Sequence, residues 1–168
     1  VIGIPAGLQY VTFDLTNLLV QSGINSFGAV TMAAWTAFGK ADAWTWQISG
    51  ALGVSVTTFV GQNFGAQKYD RVRRSVWVCM GLGIAMLGAL SILEFTFREF
   101  LLGIFTTDPE VIRIGVQMVS CIVLWNAIFI PIEVFAGAMR GTGYSLQPTL
   151  IMCVSVCLFR IAWIFLAV

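Results

Sequence analysis

The chain has 168 residues, of which 58% are hydrophobic and only 10% are charged, and its formal net charge is +1. A soluble domain typically carries about 25% charged residues, so this composition excludes an ordinary globular protein with a water-exposed surface. The nearly neutral charge also gives no reason to expect nucleic acid as a partner, and the bilayer is the expected surrounding of the chain.

Long uncharged stretches approach or exceed the roughly 18 apolar residues that indicate a membrane span. The first predicted helix begins near Pro5, a residue suited to a first helical turn, and ends before the turn residues at 25–28. The predicted helices, in chain order, are residues 5–24, 30–62, 76–97, 110–139 and 148–168. We therefore predict an all-α membrane protein with about five transmembrane helices in one bundle.

Small residues recur on two of these helices. Ser49, Gly53, Thr57 and Gly61 repeat every four residues on the second helix, and Gly81, Ala85 and Ala89 do so on the third. Such a stripe lets another helix approach closely, so we expect it to mark a helix contact. The fourth helix must absorb a proline, Pro131, whose missing N–H and ring clash should kink or open the backbone.

The basic residues predict the orientation of the bundle. Lys68, Arg71, Arg73 and Arg74 follow the second helix, and Arg140 follows the fourth, whereas the charges between Arg98 and Arg113 are balanced. Cytoplasmic loops carry an excess of Lys and Arg, so the loops near 64–75 and 140–147 should be cytoplasmic.

A polar stripe runs along the first helix. Tyr10, Asp14, Asn17, Gln21 and Asn25 follow one another at spacings of four, three, four and four, which places them within one narrow arc. Facing lipid, such a stripe would be costly. We expect it to face a partner helix or a water-filled cavity.

Asp14 is the first candidate site residue. It lies nine residues past Pro5, roughly 13 Å into the bilayer at 1.5 Å per residue. An ionisable group at that depth is usually paired, protonated or exposed to a polar cavity. Each of these states would be useful to a transporter. Asp14 is therefore a candidate coupling-ion site, which either exchanges a proton or binds Na⁺ together with Asn17 and Gln21. The alternative is a structural ion pair with Arg160 in the fifth helix.

The fourth helix carries the second candidate. Asn126 and Glu133 lie seven residues apart on one face, with Pro131 between them. Broken helices with neighbouring carboxylates are typical of substrate and ion sites near the membrane centre. The alternative is a partly solvated salt bridge from Glu133 to Arg140 near the cytoplasmic end of the fourth helix.

Other charged and aromatic groups have simpler interpretations. Lys40 and Asp42 form an oppositely charged pair near the outer end of the second helix, where snorkelling alone would explain them, and Glu94 lies near the outer end of the third. Trp44 and Trp46 are typical of an interfacial belt and secondarily of an aromatic surface for a cation.

The sequence contains no histidine, which excludes Ser-His, Cys-His and zinc-protease arrangements within the chain. The four cysteines all lie in predicted spans, where each is expected to be a small buried hydrophobe. We predict neither an enzyme nor a cofactor. The chain has no initiator Met and ends in an apolar run, so we expect an excerpt of a longer polypeptide.

Four stretches together carry a family resemblance. They are TFVGQNFGAQKYD at 58–70 with the basic run at 71–74, NLLVQSGINSFG at 17–28, FTTDPEV at 105–111 and GAMRGTG at 137–143. In this order and spacing the chain resembles the multidrug and toxic compound extrusion family of antiporters over nearly its whole length.

The resemblance implies helices seven to eleven of a twelve-helix transporter, that is, most of its C-terminal six-helix lobe. It further implies a transporter with alternating access around a central cavity, which exports organic cations in exchange for Na⁺ or H⁺. Its location would be the plasma membrane, which is the inner membrane in bacteria. The partner would be an N-terminal lobe of the same polypeptide.

Two positions depart from the family pattern. Asp14 stands where close members have a small hydroxyl residue, although it resembles the coupling carboxylate of other branches, and Phe129 stands where those branches have a second acid. These departures leave both Na⁺ and H⁺ open. The alternatives are a flippase for lipid-linked precursors, for which Arg160 is the basic candidate, and a non-transporting membrane scaffold subunit.

Overall fold

The computed structural model of the chain describes residues 3–158, with side chains from residue 11 to residue 155. The described part is all helical and contains no strand, as the sequence predicts. Its helices are α1 (Gly3–Asn25), α2 (Ala29–Ala41), α3 (Ala43–Gly65), α4 (Tyr69–Thr96), α5 (Arg98–Gly103), α6 (Pro109–Ile122), α7 (Phe129–Gly141) and α8 (Leu146–Met152). A 3₁₀ segment, Val123–Ile128, joins α6 to α7, and a π-helical turn, Cys153–Leu158, follows α8.

Two helical runs are long and apolar enough to cross a bilayer: Tyr69–Thr96, and Pro109–Gly141 across the 3₁₀ segment. Only 22% of the apolar window in each run is buried, so most of its hydrophobic side chains point outward. The core helix of a soluble protein would instead be mostly buried. The outward apolar surface is what a lipid-facing helix requires.

The predicted helix 30–62 is two helices that meet at Asp42. The Asp42 amide still donates to the Phe38 carbonyl at 2.9 Å, but the Thr45 amide bonds to the Asp42 carbonyl at 3.0 Å, a spacing of only three residues. The interruption is thus one tightened turn. It coincides with an Asp42 side chain that bonds to neighbouring helices, as described below.

The polar links contain more helix than the sequence analysis expects. α4 begins at Tyr69 instead of residue 76, which places Arg71, Arg73 and Arg74 in its first two turns, where all three are exposed. The short helix α5 occupies the first half of the link between Arg98 and Pro109. Helical backbone continues past the apolar run because the exposed charged side chains keep their contact with water.

The small-residue stripe on α3 is the contact with α7, as predicted. A Cβ atom added to Gly137 would lie 2.7 Å from the Gly53 carbonyl oxygen, and one added to Gly141 would lie 2.7 Å from the Thr57 carbonyl oxygen. The Thr57 hydroxyl lies 3.1 Å from the Gly137 carbonyl oxygen and bonds across the two helices. The two backbones therefore approach as closely as only glycine permits.

The similar spacing of Gly81, Ala85 and Ala89 on α4 does not mark a contact within this part of the chain, since all three residues are exposed. α4 instead packs through Gly83, where an added Cβ would lie 2.8 Å from the Ile130 side chain. That side of α4 joins a core cluster formed by Val56, Val60, Met80, Leu87, Ile130 and Val134.

The backbone irregularity expected at Pro131 lies in the 3₁₀ segment just before it. Pro131 cannot donate to the carbonyl four residues earlier, at Ala127, and its ring crowds that group. Ala127 belongs to the 3₁₀ segment. A tighter winding there changes the direction in which the segment presents its side chains, Asn126 among them.

Candidate functional site

The polar stripe of α1 lies on a surface away from its helix contacts. Asp14, Asn17 and Gln21 are exposed. Thr16, roughly 130° around the helix from the middle of the stripe, is only 2% exposed and faces the rest of the bundle. α1 packs against α2, α8 and the π-helical turn. The stripe therefore faces away from the described helices that pack against α1.

The structure records no hydrogen bond or ion pair between the Asp14 carboxylate and another described residue. The predicted structural pair with Arg160 lies outside the described residues, as does the side chain of Tyr10. No group of three or more His, Cys, Asp or Glu residues that could hold a metal ion occurs in the described part. The Na⁺ ligands Asp14 and Asn17 stay a prediction.

The structure gives the two candidates of the fourth predicted helix different partners. Glu133 forms a salt bridge with Arg140, with 3.4 Å between Glu133 Oε2 and Arg140 Nη2, and the two side chains are 16% and 20% exposed. Gly53 makes room for it, because a Cβ there would lie 2.8 Å from the same Glu133 oxygen. This is the geometry of the structural alternative.

Asn126 belongs to a partly buried polar group that we call the Asp42 cluster: Asp42, Thr45, Trp46, Glu94 and Asn126. Asn126 Nδ2 donates to Asp42 Oδ1 at 2.8 Å, and Trp46 Nε1 donates to Asp42 Oδ2 at 2.9 Å. The Thr45 hydroxyl contacts Glu94 Oε1 at a long 3.5 Å. Asp42 and Glu94 are each only 4% exposed. Two carboxyl groups are thus buried together.

Two interruptions in the helices position members of this cluster. The tightened turn between α2 and α3 holds Asp42, the 3₁₀ segment presents Asn126, and Glu94 comes from the last turn of α4. Neither Lys40 nor another described cation pairs with Asp42: the Lys40 ammonium is exposed and lies 5.8 Å from the centre of the Phe105 ring. The Lys40–Asp42 pair expected from the sequence is therefore wrong.

A pocket of about 270 Å³ adjoins the cluster. Thr45, Trp46 and Asn126 supply polar groups, while Trp125 and Phe129 supply aromatic wall, and the Trp46 and Phe129 rings meet edge to face with 5.1 Å between centroids. Polar groups at one side of an aromatic wall suit a small amphipathic molecule. Phe129, the departure from the family pattern, is part of that wall.

Sequence reasoning missed the Asp42 cluster because its bonds join distant segments. Asp42 and Asn126 are 84 residues apart, and Thr45 and Glu94 are 49 apart. The sequence did contain one signal. Asp42 and Glu94 are both acids near the predicted outer ends of consecutive apolar helices, and acids in such helices are usually paired or functional.

Comparison with known proteins identifies the family. The chain matches the MatE family model over residues 5–166. It is 28% identical over 151 residues to the probable multidrug resistance protein YoeA of Bacillus subtilis, covering 89% of this chain and 32% of that protein. It is 26% identical over 170 residues to the probable multidrug resistance protein NorM of Thermotoga maritima, covering 99% of this chain and 36% of that protein.

The chain therefore spans about a third of the length of these curated relatives. The family match, in contrast, extends over nearly all of the chain. The chain belongs to the MatE family, which confirms its resemblance to the multidrug and toxic compound extrusion proteins.

Proposed function

We propose that the polypeptide carrying this chain is a multidrug efflux transporter that exports organic cations in exchange for Na⁺ or H⁺ by alternating access. The observation that carries the proposal is the polar stripe of α1, whose Asp14, Asn17 and Gln21 are exposed away from the packed side of the helix. Membership of the MatE family and the names of the relatives support the same activity.

In this proposal Asp14 binds the coupling ion, and the N-terminal lobe of the same polypeptide covers the stripe across a central cavity. A carboxylate at membrane depth is costly without a counter-ion or a proton. Occupation of Asp14 therefore favours one arrangement of the lobes, and occupation of the cavity by an organic cation favours the other. The amide oxygens of Asn17 and Gln21 would complete a Na⁺ site.

The protein would lie in the plasma membrane, the inner membrane in bacteria, with the loops near 64–75 and 140–147 in the cytoplasm. The exposed Arg71, Arg73 and Arg74 at the start of α4 support this orientation, because basic residues flank spans on the cytoplasmic side. The lipid bilayer would contact the outward apolar surfaces of α4, α6 and α7.

Efflux measured in vesicles that contain the full-length polypeptide tests the proposal. We expect export of a fluorescent organic cation such as ethidium to accelerate when either a Na⁺ gradient or a pH gradient is imposed, because the downhill ion drives the uphill export. The gradient that accelerates export identifies the coupling ion. If the export rate were the same without a gradient, with a Na⁺ gradient and with a pH gradient, the proposed coupling to either ion would be wrong.

The Glu133–Arg140 salt bridge should be structural. We expect Glu133→Gln to keep most of the efflux activity and to lower stability by about 1 kcal/mol or less, because glutamine keeps the side-chain volume and an oxygen for Arg140. Thermal unfolding and vesicle efflux of the variant provide the two readouts. A folded Glu133→Gln variant that had lost efflux would instead place Glu133 in the transport site.

A further inference from the structure

We propose that Glu94 and Asp42 form a proton-binding site in this chain, separate from the α1 stripe, in which Glu94 holds the proton while Asp42 holds the negative charge. The proposal goes beyond the antiport function and does not depend on it. It rests on the burial and hydrogen bonding of the two carboxyl groups and on the void that both of them line.

The Glu94 carboxyl is buried without adequate partners. It is 4% exposed, and its Oε2 atom has no hydrogen-bond partner among the residues that the structure describes. The narrow void beside it, lined by Asp42, Glu94 and Arg98 among apolar side chains, is too small to admit a water molecule. An ionised carboxylate in such surroundings costs several kcal/mol, whereas a protonated carboxyl is neutral and costs much less. Glu94 is therefore protonated in this conformation.

Asp42 differs from Glu94 in its hydrogen bonds. Both of its oxygens accept a strong bond, one from Asn126 and one from Trp46. Hydrogen bonds donated to a carboxylate favour its charged form. When two neighbouring carboxyl groups share a buried site, ionising both costs much more free energy than ionising one. The group that accepts more hydrogen bonds therefore carries the charge. Here that group is Asp42.

The Thr45 hydroxyl connects the two carboxyl groups. It lies 3.5 Å from Glu94 Oε1 and also interacts with the Asp42 carboxyl. A hydroxyl has only one proton to donate, so Thr45 can donate to only one of the two carboxyl groups at a time. Two ionised carboxylates would compete for its single proton.

No described cation forms an ion pair with Glu94. Arg98, one turn further along the chain, lines the same void, but no ion pair joins it to Glu94; its Nη1 atom donates to the Phe95 carbonyl at 3.1 Å, and its guanidinium carbon lies 4.5 Å from the centre of the Phe95 ring. Lys40 is exposed beside Phe105. The surrounding faces of α6 and the 3₁₀ segment contribute Val119 and Val123, which are apolar.

Infrared difference spectroscopy of the full-length polypeptide tests the site without transport. We expect the spectrum of the wild type minus that of Glu94→Gln to show the carbonyl band of a protonated carboxyl group at neutral pH. Glu99→Gln, which removes an exposed acid nearby, is the matched control and should leave the band unchanged. Glutamine imitates a protonated glutamate in shape and charge, so the variant should fold.

A second variant tests the coupling of the pair. Asp42→Asn removes the neighbouring charge, so the Glu94 band should disappear on titration at a pH lower by about one unit or more. No difference band for Glu94→Gln, an unmoved titration in Asp42→Asn, or loss of the band on adding Na⁺ would each overturn the proposal. A persistent band in a protein that shows no gradient-driven efflux would refute the antiport function while supporting this site.

Discussion

Gly137→Ala should destabilise the protein, whereas Gly81→Ala, the same substitution on another helix, should stabilise it. At Gly137 the new Cβ atom would lie 2.7 Å from the Gly53 carbonyl oxygen and 3.3 Å from the Thr57 hydroxyl, so α3 and α7 must move apart. Overpacking of this kind costs about 1–3 kcal/mol. A Cβ atom added to Gly81 would meet no described atom within 4 Å outside its local helix backbone. Alanine there gains about 0.5–1 kcal/mol because it restricts the backbone of the unfolded chain.

Thermal unfolding of the full-length polypeptide in detergent measures both changes. Gly141→Ala should behave like Gly137→Ala, since its Cβ would meet the Thr57 carbonyl oxygen at 2.7 Å, and Gly50→Ala should behave like Gly81→Ala. Shifts of the same sign and size at all four positions would show that the close approach of α3 and α7 contributes nothing to stability.

The sequence predicts the parts of the fold that depend on local pattern. The apolar runs predict the helices, and the four-residue spacing of Ser49, Gly53, Thr57 and Gly61 predicts a helix contact, which the structure shows to be with α7. The same spacing at Gly81 is misleading because small residues only permit a close approach. Whether a partner helix is present depends on the tertiary arrangement, which spacing does not encode.

The Asp42 cluster could not be predicted in the same way. Lys40 and Asp42 look like a pair in the sequence, but residues two apart on a helix point in different directions and do not meet. Asn126 and Glu133, seven residues apart, share a face only if the helix is regular, and the 3₁₀ segment ends before Glu133 is reached. The change in winding leaves Asn126 bonded to Asp42 and Glu133 bonded to Arg140.

Asp14→Asn should abolish the dependence of efflux on the coupling ion. The variant keeps the size and polarity of the side chain but can neither bind a proton nor attract a cation by charge. Because the gradient then has no site through which it can drive export, we expect efflux by the variant to stay at its rate without a gradient. Folding should be unaffected, because Asp14 is exposed and makes no bond to another described residue.

The matched control is Asp70→Asn, which removes an equally exposed acid from the first turn of α4. Asp70 lies outside the predicted span, next to the exposed Arg71, Arg73 and Arg74. The Asp70→Asn variant should retain the efflux rate of the wild type and its response to the gradient.

The most direct measurement compares ethidium efflux from vesicles that contain the wild type, Asp14→Asn or Asp70→Asn, with a Na⁺ gradient, a pH gradient or neither. The account predicts that one gradient accelerates efflux by the wild type and by Asp70→Asn but leaves Asp14→Asn at its rate without a gradient. Equal acceleration of Asp14→Asn and the wild type would show that the stripe of α1 is not the coupling site.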